Sequence, residues 1–279
     1  MACITPAKSP PVALKIMSFN IRWEIAGRDG SNDWPHRREM VYELLRDSDL
    51  DVAGLQEATP AQVADIQSAV PEMKVHDADP VMNGIAIFYR ADRFRLLDKG
   101  AFWFSPTPDI PESTDWGGSN RRHVCAWVRL EDVATHQSFY LYDLHLDSLA
   151  TSRQKSAVLL CDRIAARNHR DPAFVVGDFN ARESETTSRY LRGELELDAS
   201  EGSRRAAVTW VDSFRAIHPD ATEVGTANYF RGRKTGEKID FIYVAPGTEV
   251  TAAAIDYFNV DGAYPSDHFP VTATVVLTD

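Results

Sequence analysis

The sequence is poor in cysteine and has no long apolar run. Its three cysteines, Cys3, Cys125 and Cys161, show no CxxC spacing and cannot all pair with one another, so a disulfide framework is not expected. The N-terminal segment MACITPAKSPPVALKI has no apolar run of signal-peptide length, and no segment approaches the roughly eighteen apolar residues of a membrane helix. These absences predict a cytoplasmic protein without membrane insertion.

The chain also lacks an excess of positive charge. Its 30 Lys and Arg residues are outnumbered by 41 Asp and Glu residues, which gives a formal net charge of -11. Tight, sequence-independent binding to nucleic acid is driven by counterion release from phosphates and therefore needs basic residues. The charge argues against long duplex DNA as a ligand, although local basic patches are compatible with shorter strands.

Neither a repeat nor a linker divides the 279 residues. We therefore predict one domain over residues 14–279, preceded by an N-terminal extension at residues 1–13. Helical spacing of apolar residues, with Thr59 as a cap for the second helix, predicts helices within 34–51, 59–70 and 152–168. Apolar alternation or continuous apolar character predicts strands at 14–20, 52–58, 84–90, 124–130, 138–147, 173–181, 238–245 and 271–277.

Polar side chains recur where these strands begin or end, a common place for catalytic groups. They are Asn20, Glu57, Asp143, His145, Asp147, Asp178, Asn180, Asp240, Asp267 and His268. Taken singly, each has an ordinary interpretation as a solvated boundary carboxylate, a turn-forming Asn or a hydrogen-bonded core His. Carboxylate and amide oxygens are also the ligands of Mg²⁺ or Mn²⁺, and histidines suit acid-base work, so the set as a whole indicates metal-assisted phosphoester hydrolysis.

In this order the motifs SFN, LQE, HLD, GDFN, KIDF and YPSDHFPV resemble those of the endonuclease/exonuclease/phosphatase family, from about Lys15 to Leu277. The residue sequence of the motif YPSDHFPV most resembles that of a bacterial branch of the family, which is itself similar to the deadenylase-type members. The resemblance implies an α/β fold of the DNase I-like type. This fold is a four-layer α/β sandwich of two packed mixed β-sheets flanked by helices, with the site at one edge of the sheets.

The resemblance also implies a role for each site residue. Asn20, Glu57 and Asp267 are expected at a Mg²⁺ or Mn²⁺ site, with Glu57 as the principal ligand. Among the expected catalytic residues, Asp178 orients or deprotonates the attacking water, Asn180 holds that water or a phosphate oxygen, His268 contacts the scissile phosphate, Asp240 fixes the tautomer of His268, and His145 stabilises phosphoryl charge or assists the leaving group.

One position departs from the family pattern. Members often carry an Arg just before the strand that corresponds to VCAWVRL, where this chain has His123, preceded by Arg121 and Arg122. Arg grips phosphate bidentately at any pH, whereas His must be protonated to do comparable work. Either His123 replaces the Arg or Arg122 reaches the phosphate, and all three residues are candidates for substrate binding.

Three functional interpretations follow. The first is a metal-dependent nuclease for short or single-stranded nucleic acid or nucleotides, with basic loops at 121–123, 203–205 and 229–238 and with Trp116, Tyr229 and Phe230 as stacking partners for bases. The second is a phosphatase or phosphodiesterase for a small phosphorylated metabolite, an inositol phosphate or a lipid headgroup. The third, an inactive phosphate-binding module, should lack site residues that this chain retains. We expect a monomer without a protein partner.

Overall fold

The computed structural model describes residues 12–47, 49–78, 84–114, 116, 122–199 and 202–277. Its strands are β1 (Val12–Asn20), β2 (Val52–Gln56), β3 (Met73–Asp77), β4 (Ala86–Arg90), β5 (Phe94–Trp103), β6 (Val124–Asp132), β7 (Ser138–His145), β8 (Ala173–Asp178), β9 (Leu197–Ala199), β10 (Gly202–Arg204), β11 (Val211–Asp212), β12 (Asp240–Val244), β13 (Glu249–Ile255) and β14 (Val271–Leu277). Its helices are α1 (Trp34–Asp47), α2 (Pro60–Ala69), α3 (Ala150–Ala165), α4 (Thr186–Leu191) and α5 (Ser213–Ile217).

The long strands form two six-stranded mixed sheets. The strand order is β13-β14-β1-β2-β4-β3 in the first sheet and β11-β12-β8-β7-β6-β5 in the second, and β9 and β10 form a separate hairpin. Only β1 with β2 and β7 with β8 pair in parallel among the described strands. Because parallel neighbours need a crossover, α1 and α3 lie between the members of these two pairs in the chain.

The layers are held by three apolar clusters. Side chains such as Ile16 and Val176 fill the space between the two sheets. Helices α1 and α2 pack Val41 and Ile66 on the outer face of the first sheet, and α3 packs Leu160 on the outer face of the second. This arrangement confirms the predicted four-layer α/β sandwich.

The two sheets approach each other closely at Gly54 in β2. A Cβ atom at this position would lie 2.4 Å from a side-chain carbon of Val176 and 2.7 Å from Cγ of Asp143. Asp143 is fully buried here and accepts a hydrogen bond of 2.6 Å from Nε2 of Gln56, the residue before Glu57. A glycine is therefore required at this point of β2, where the two sheets meet.

Several local predictions can be compared with the observed boundaries. Thr59 accepts a hydrogen bond from the backbone N–H of Gln62, and the Gln62 side chain accepts from the backbone N–H of Thr59, so the predicted cap of α2 is present. Strand β1 begins at Val12, two residues before the predicted start, and residues 1–11 of the expected extension lie outside the described residues.

The sequence indicated that a disulfide framework and a membrane helix are absent, and both expectations can be compared with the structure. Cys125 and Cys161 are buried free thiols, whereas Cys3 lies outside the described residues. Within the described ranges, none of the helices combines the length and the apolar character needed to cross a bilayer.

Candidate active site

Four of the predicted site residues lie at neighbouring strand ends along one edge of the sandwich. Asn20 ends β1, His145 ends β7, Asp178 ends β8 and Asp240 begins β12. Since β7 is parallel and β12 antiparallel to β8, the register places His145 and Asp240 directly opposite Asp178. The topology thus brings residues that are far apart in the sequence into one row.

Asn20 joins the first sheet to this row. Its Nδ2 donates to Oε1 of Glu57 at 3.2 Å and to Oδ2 of Asp178 at 3.1 Å, while its Oδ1 accepts from the backbone N–H of Arg22 at 3.0 Å. Glu57 follows β2 with a left-handed φ of 59°, and its Oε2 accepts from the backbone N–H of Trp23 at 3.0 Å. The amide of Asn20 therefore orients two carboxylates that come from different sheets.

His268 is held between two carboxylates. It lies three residues before β14, where its backbone forms a bridge with Ala227. Its Nδ1 donates to Oδ2 of Asp240 at 2.9 Å, and its Nε2 is 3.8 Å from Oδ2 of Asp178. Burial lowers the pKa of His268, but the charges of Asp240, Asp178 and Asp267 together raise that pKa well above its ordinary value. The ring is therefore an imidazolium at neutral pH.

Asp178 is the centre of the cluster and is only 2% exposed. Its Oδ1 accepts from the backbone N–H of Asn180 at 2.8 Å. Its Oδ2 faces three side-chain nitrogens, which are Nδ2 of Asn20 at 3.1 Å, Nε2 of His145 at 3.4 Å and Nε2 of His268 at 3.8 Å. Burial raises the pKa of Asp178, and the nearby histidines only partly oppose that rise. A carboxylate with a raised pKa is better suited than an ordinary one to accept a proton.

The Glu57 carboxylate responds in the opposite direction. Burial acts to raise the pKa of Glu57, but the His145 side chain, the hydrogen bond from the Trp23 backbone and the charge of His268 together lower it below its ordinary value. Glu57 is therefore anionic at neutral pH. The site contains one carboxylate poised to take up a proton and another that resists doing so.

Asn180 and His145 form the other side of the site. Asn180 has a left-handed φ of 48°, and its Nδ2 donates to the backbone oxygen of Leu146 at 2.8 Å. The same Nδ2 lies 2.9 Å from Nε2 of His145, which must accept this hydrogen bond. This hydrogen bond requires that Nε2 of His145 carry no proton.

The candidates for substrate binding differ in where they point. Arg121 lies outside the described residues. Nη1 of Arg122 is 3.3 Å from Oε2 of Glu112, whereas Nδ1 of His123 donates to the backbone oxygen of His145 at 2.9 Å. Nε2 of His123 is also 4.0 Å from Oδ2 of Asp147. Of the two described candidates, His123 contacts the row of strand-end residues and Arg122 is directed toward a loop carboxylate.

Asp267 is accompanied by an arginine that the sequence patterns did not single out. Nη1 of Arg22 is 3.7 Å from Oδ2 of Asp267, and the same guanidinium binds Asp29 through two hydrogen bonds of 3.0 and 3.1 Å. Oδ1 of Asp267 lies 3.3 Å from Oγ of Ser266. The position of Arg22, two residues after Asn20, was the available signal, because a residue just beyond a catalytic strand end borders the site.

The donor set fits a divalent cation. Ligand atoms of Asp178, Asp240 and His268 lie within 4.8 Å of one another, although Nδ1 of His268 is already bonded to Asp240. Oδ1 of Asp240 is buried and has no hydrogen-bond partner among the described residues. With Glu57 and Asp267, the edge carries four carboxylates, which are hard oxygen ligands of the kind that Mg²⁺ and Mn²⁺ prefer. These residues could therefore hold such an ion.

A four-layer α/β sandwich with this row of carboxylates and histidines defines a phosphoester-hydrolase type of protein. The family model described as the Endonuclease/Exonuclease/phosphatase family matches residues 17–268, and the chain belongs to that family. Among curated proteins, no sequence matches the chain.

Solved structures share the fold along almost the whole chain. An endonuclease/exonuclease/phosphatase family protein from Bacteroides thetaiotaomicron is 26% identical, with a TM-score of 0.83, over 97% of this chain and 100% of that one. The mannosyl-6-phosphatase Bt3783 of the same organism is 26% identical, with a TM-score of 0.81, over 95% and 100%. D. rerio TDP2, solved with a single-strand DNA product, is 18% identical, with a TM-score of 0.72, over 94% and 98%, and shows likeness of fold alone.

Proposed function

We propose that the protein is a divalent-metal-dependent hydrolase of phosphoesters. The observation that carries this proposal is the convergence of three side-chain nitrogens from both sheets on one oxygen of Asp178, at 3.1 to 3.8 Å. Two of them, Nδ2 of Asn20 and Nε2 of His268, are placed to donate to that oxygen. A carboxylate held in this way is rigid and faces groups that can position a phosphate and an attacking water on either side of it.

The carboxylates at this edge would bind the metal. Glu57, supported by Asn20 and accompanied by Asp267, would hold Mg²⁺ or Mn²⁺. When bound, the ion supplies Lewis-acid polarisation of a phosphoryl oxygen and stabilises the charge that develops there. The hydrogen bonds from Asn20 and from the Trp23 backbone fix both oxygens of Glu57, so the principal ligand is preorganised.

The remaining roles follow from the hydrogen bonds. Asp178 orients the attacking water and accepts its proton. His268 presents its Nε2–H to a phosphoryl oxygen, because its Nδ1–H is committed to Asp240 at 2.9 Å. Asn180 and His145, which are bonded to each other at 2.9 Å, lie on the side from which the leaving group departs or a phosphoryl oxygen is held.

We infer that the substrate is a small phosphorylated molecule. The similarity to a mannosyl-6-phosphatase at 26% identity supports this substrate class, as does the net charge of -11. Basic and aromatic groups proposed for strand binding also have structural contacts. Lys234 lies 4.2 Å from the ring centroid of Tyr257, Arg233 donates to a backbone oxygen of its own loop, and Trp116 lies beneath the ammonium group of Lys155. We therefore rank the hydrolase of small phosphoesters above the nuclease, which is the reverse of the order that the sequence favoured.

One observation favours a nuclease as the second candidate. Tyr229 is 64% exposed, and its backbone N–H donates to the backbone oxygen of Asp267 at 2.9 Å. An exposed aromatic ring beside the catalytic row is a platform on which a nucleic-acid base could stack.

A hydrolysis panel with Mg²⁺ or Mn²⁺ tests the proposal. It should contain mannose 6-phosphate and other sugar phosphates, inositol phosphates, sphingomyelin, single-stranded DNA, poly(A) RNA, abasic duplex DNA and bis-p-nitrophenyl phosphate. Turnover confined to small phosphoesters is the expected result, and preferential cleavage of the strands would favour the nuclease instead. Failure to hydrolyse any member of the panel with either metal would contradict both and leave the inactive binding module.

A further inference from the structure

Arg37, in the first turns of α1, is 1% exposed, and its guanidinium donates four hydrogen bonds, all to backbone oxygens. Nε donates to Asn32 at 2.9 Å, Nη2 to Arg22 at 2.6 Å, and Nη1 to both Ile21 and Pro265, the latter at 2.9 Å. One side chain therefore holds the segment that follows β1 and the segment that precedes β14.

No carboxylate among the described residues forms an ion pair with Arg37. Burial lowers its pKa to about 10, and the charges of Asp267 and Asp29 oppose that fall without contacting the guanidinium. The group remains charged at neutral pH, packed against the ring of Trp34 at 5.1 Å and that of Phe230 at 5.9 Å. Because burying a charge is unfavourable unless it is well bonded, the carbonyl oxygens are what hold Arg37 in place.

The bonded oxygens belong to the two segments that carry the site. Arg22 lies between Asn20, which orients Glu57, and Trp23, whose backbone N–H donates to Glu57. Pro265 lies three residues before His268. The guanidinium thus connects the backbone that supports the Glu57 carboxylate with the backbone that supports the His268 ring.

The backbone at Arg22 needs such support. Its φ of 57° is in the left-handed region, which is unfavourable for a residue with a side chain. Its carbonyl oxygen accepts from Arg37 and also from Nε2 of Gln62 at 2.9 Å. Oγ of Ser266 donates to the backbone oxygen of Asn20 at 2.6 Å, which adds a second, shorter tie between the same two segments.

We propose that Arg37 is a positioning residue that fixes the segment after β1 against the segment before β14 and so aligns Glu57 with His268. This inference rests on the proposed function, since it concerns the same site. Only a planar guanidinium can donate in several fixed directions at once, because the ammonium of Lys concentrates its donors on one nitrogen. Arg37→Lys therefore keeps the charge and removes the geometry.

The experiment compares Arg37→Lys and Arg37→Met with matched changes at Arg93. Arg93 also ties separate segments, since it bonds with Asp51, Asp132 and the backbone oxygen of Ala13, but it does so at the opposite edge of the sandwich. Three quantities are measured on each variant: Mn²⁺ affinity by electron paramagnetic resonance of the free ion, kcat and KM on bis-p-nitrophenyl phosphate, and backbone hydrogen exchange in peptides that cover 20–24 and 264–269.

We expect Arg37→Lys to remain folded and to lose about 10- to 100-fold in Mn²⁺ affinity and in kcat, with a smaller change in KM. Exchange should become faster in both peptides together. The Arg93 variants should lower the thermal midpoint without any of these effects. If Arg37→Met does not fold, Arg37→Lys decides the matter alone.

An Arg37→Lys protein with wild-type kcat, wild-type Mn²⁺ affinity and unchanged exchange in the two peptides would overturn the inference. So would losses of the same size in the Arg93 variants, because these would show a general effect of stability. If the unmodified protein hydrolyses no phosphoester, the proposed function fails. Mn²⁺ affinity and hydrogen exchange would still test whether Arg37 fixes the segment after β1 against the segment before β14.

Discussion

The two edges of the sandwich treat their buried carboxylates in opposite ways. At the edge away from the site, Asp51 and Asp132 share the guanidinium of Arg93, with Nε of Arg93 3.0 Å from Oδ2 of Asp132. At the catalytic edge, three buried or half-buried carboxylates have no Lys or Arg nitrogen within 4.0 Å among the described residues. They are Glu57, Asp178 and Asp240.

This difference separates stability from function. A carboxylate that is satisfied by an arginine within the chain contributes to the folded state and has no affinity to spare for a ligand. A carboxylate that meets only amides and histidines leaves negative charge for a cation from outside the chain. The far edge is therefore expected to respond to mutation in its unfolding free energy, and the catalytic edge in its metal affinity and turnover.

The largest effect is expected at the catalytic edge. Asp178→Ala and His268→Ala should lower kcat by about 10²- to 10⁴-fold, because they remove the proton acceptor and the phosphate contact. Steady-state kinetics on bis-p-nitrophenyl phosphate would measure the loss, and thermal unfolding would show whether the fold persists. Asp132→Asn is the matched control and should keep the wild-type kcat. Full activity in His268→Ala would sink the assignment of the site.

Metal removal should act at the same edge, and we expect it to affect activity more than stability. We expect EDTA to inactivate the protein and Mg²⁺ or Mn²⁺ to restore it. Saturating metal should also stabilise the fold by about 2.7 kcal/mol at a hundred times Kd. This stabilisation would be measured as a rise in the thermal midpoint on addition of metal. Glu57→Gln should abolish most of that rise, whereas Arg93→Met should retain it. Activity that survives thorough chelation would contradict metal-assisted hydrolysis.

The sequence predicted the inner strands of both sheets and missed the outer ones. The eight predicted strands correspond to β1, β2, β4, β6, β7, β8, β12 and β14, and the four missed strands of the two sheets, β3, β5, β11 and β13, are the sheet edges. Inner strands bury one face, as β14 does, or both faces, as β2 does, and therefore have strong apolar patterns. Edge strands are partly exposed, as the pattern of EVTAAAI in β13 shows, and their pairing depends on neighbours that no local window contains.

The prediction of the site residues was limited in the same way, because a local window of sequence does not contain their distant neighbours. The strand-end residues Asn20, Asp178 and Asp240 could be found because polar side chains interrupt apolar runs. Arg37 could not, because in the sequence WPHRREM it resembles the solvated face of an amphipathic helix. Its hydrogen bond to Pro265 spans 228 positions, and only the packing of α1 against two distant segments brings them together.

At the far edge, Arg93→Met should lower the free energy of unfolding by about 1–3 kcal/mol, since it leaves Asp51 and Asp132 without their shared donor. Urea denaturation would measure the change. Arg95→Met removes an exposed ion pair with Glu131 on the neighbouring strand and should cost less than about 1 kcal/mol. Equal losses in the two variants would contradict the assignment of Arg93 as the main tie of this edge.

The smallest expected effect is a pH dependence at the same edge. Burial acts to raise the pKa of Asp132, but hydrogen bonds from Arg93, Thr135 and Ala134 lower it below its ordinary value. Because the folded pKa is depressed, this stabilisation is complete above the unfolded pKa of about 3.9 and is lost as the pH falls through the folded value.

Asp132→Asn should therefore reduce the acid-induced fall in the free energy of unfolding, by a fraction of the Arg93→Met effect. Urea titrations at several pH values below about 5 would measure the slope. The exposed change Val133→Ala in the same turn alters no titrating group and should leave the slope as it is. An unchanged slope in Asp132→Asn would mean that the bonds from Arg93 hold the carboxylate in place without favouring its charged form, and the far edge would then stabilise the fold by geometry instead of by charge.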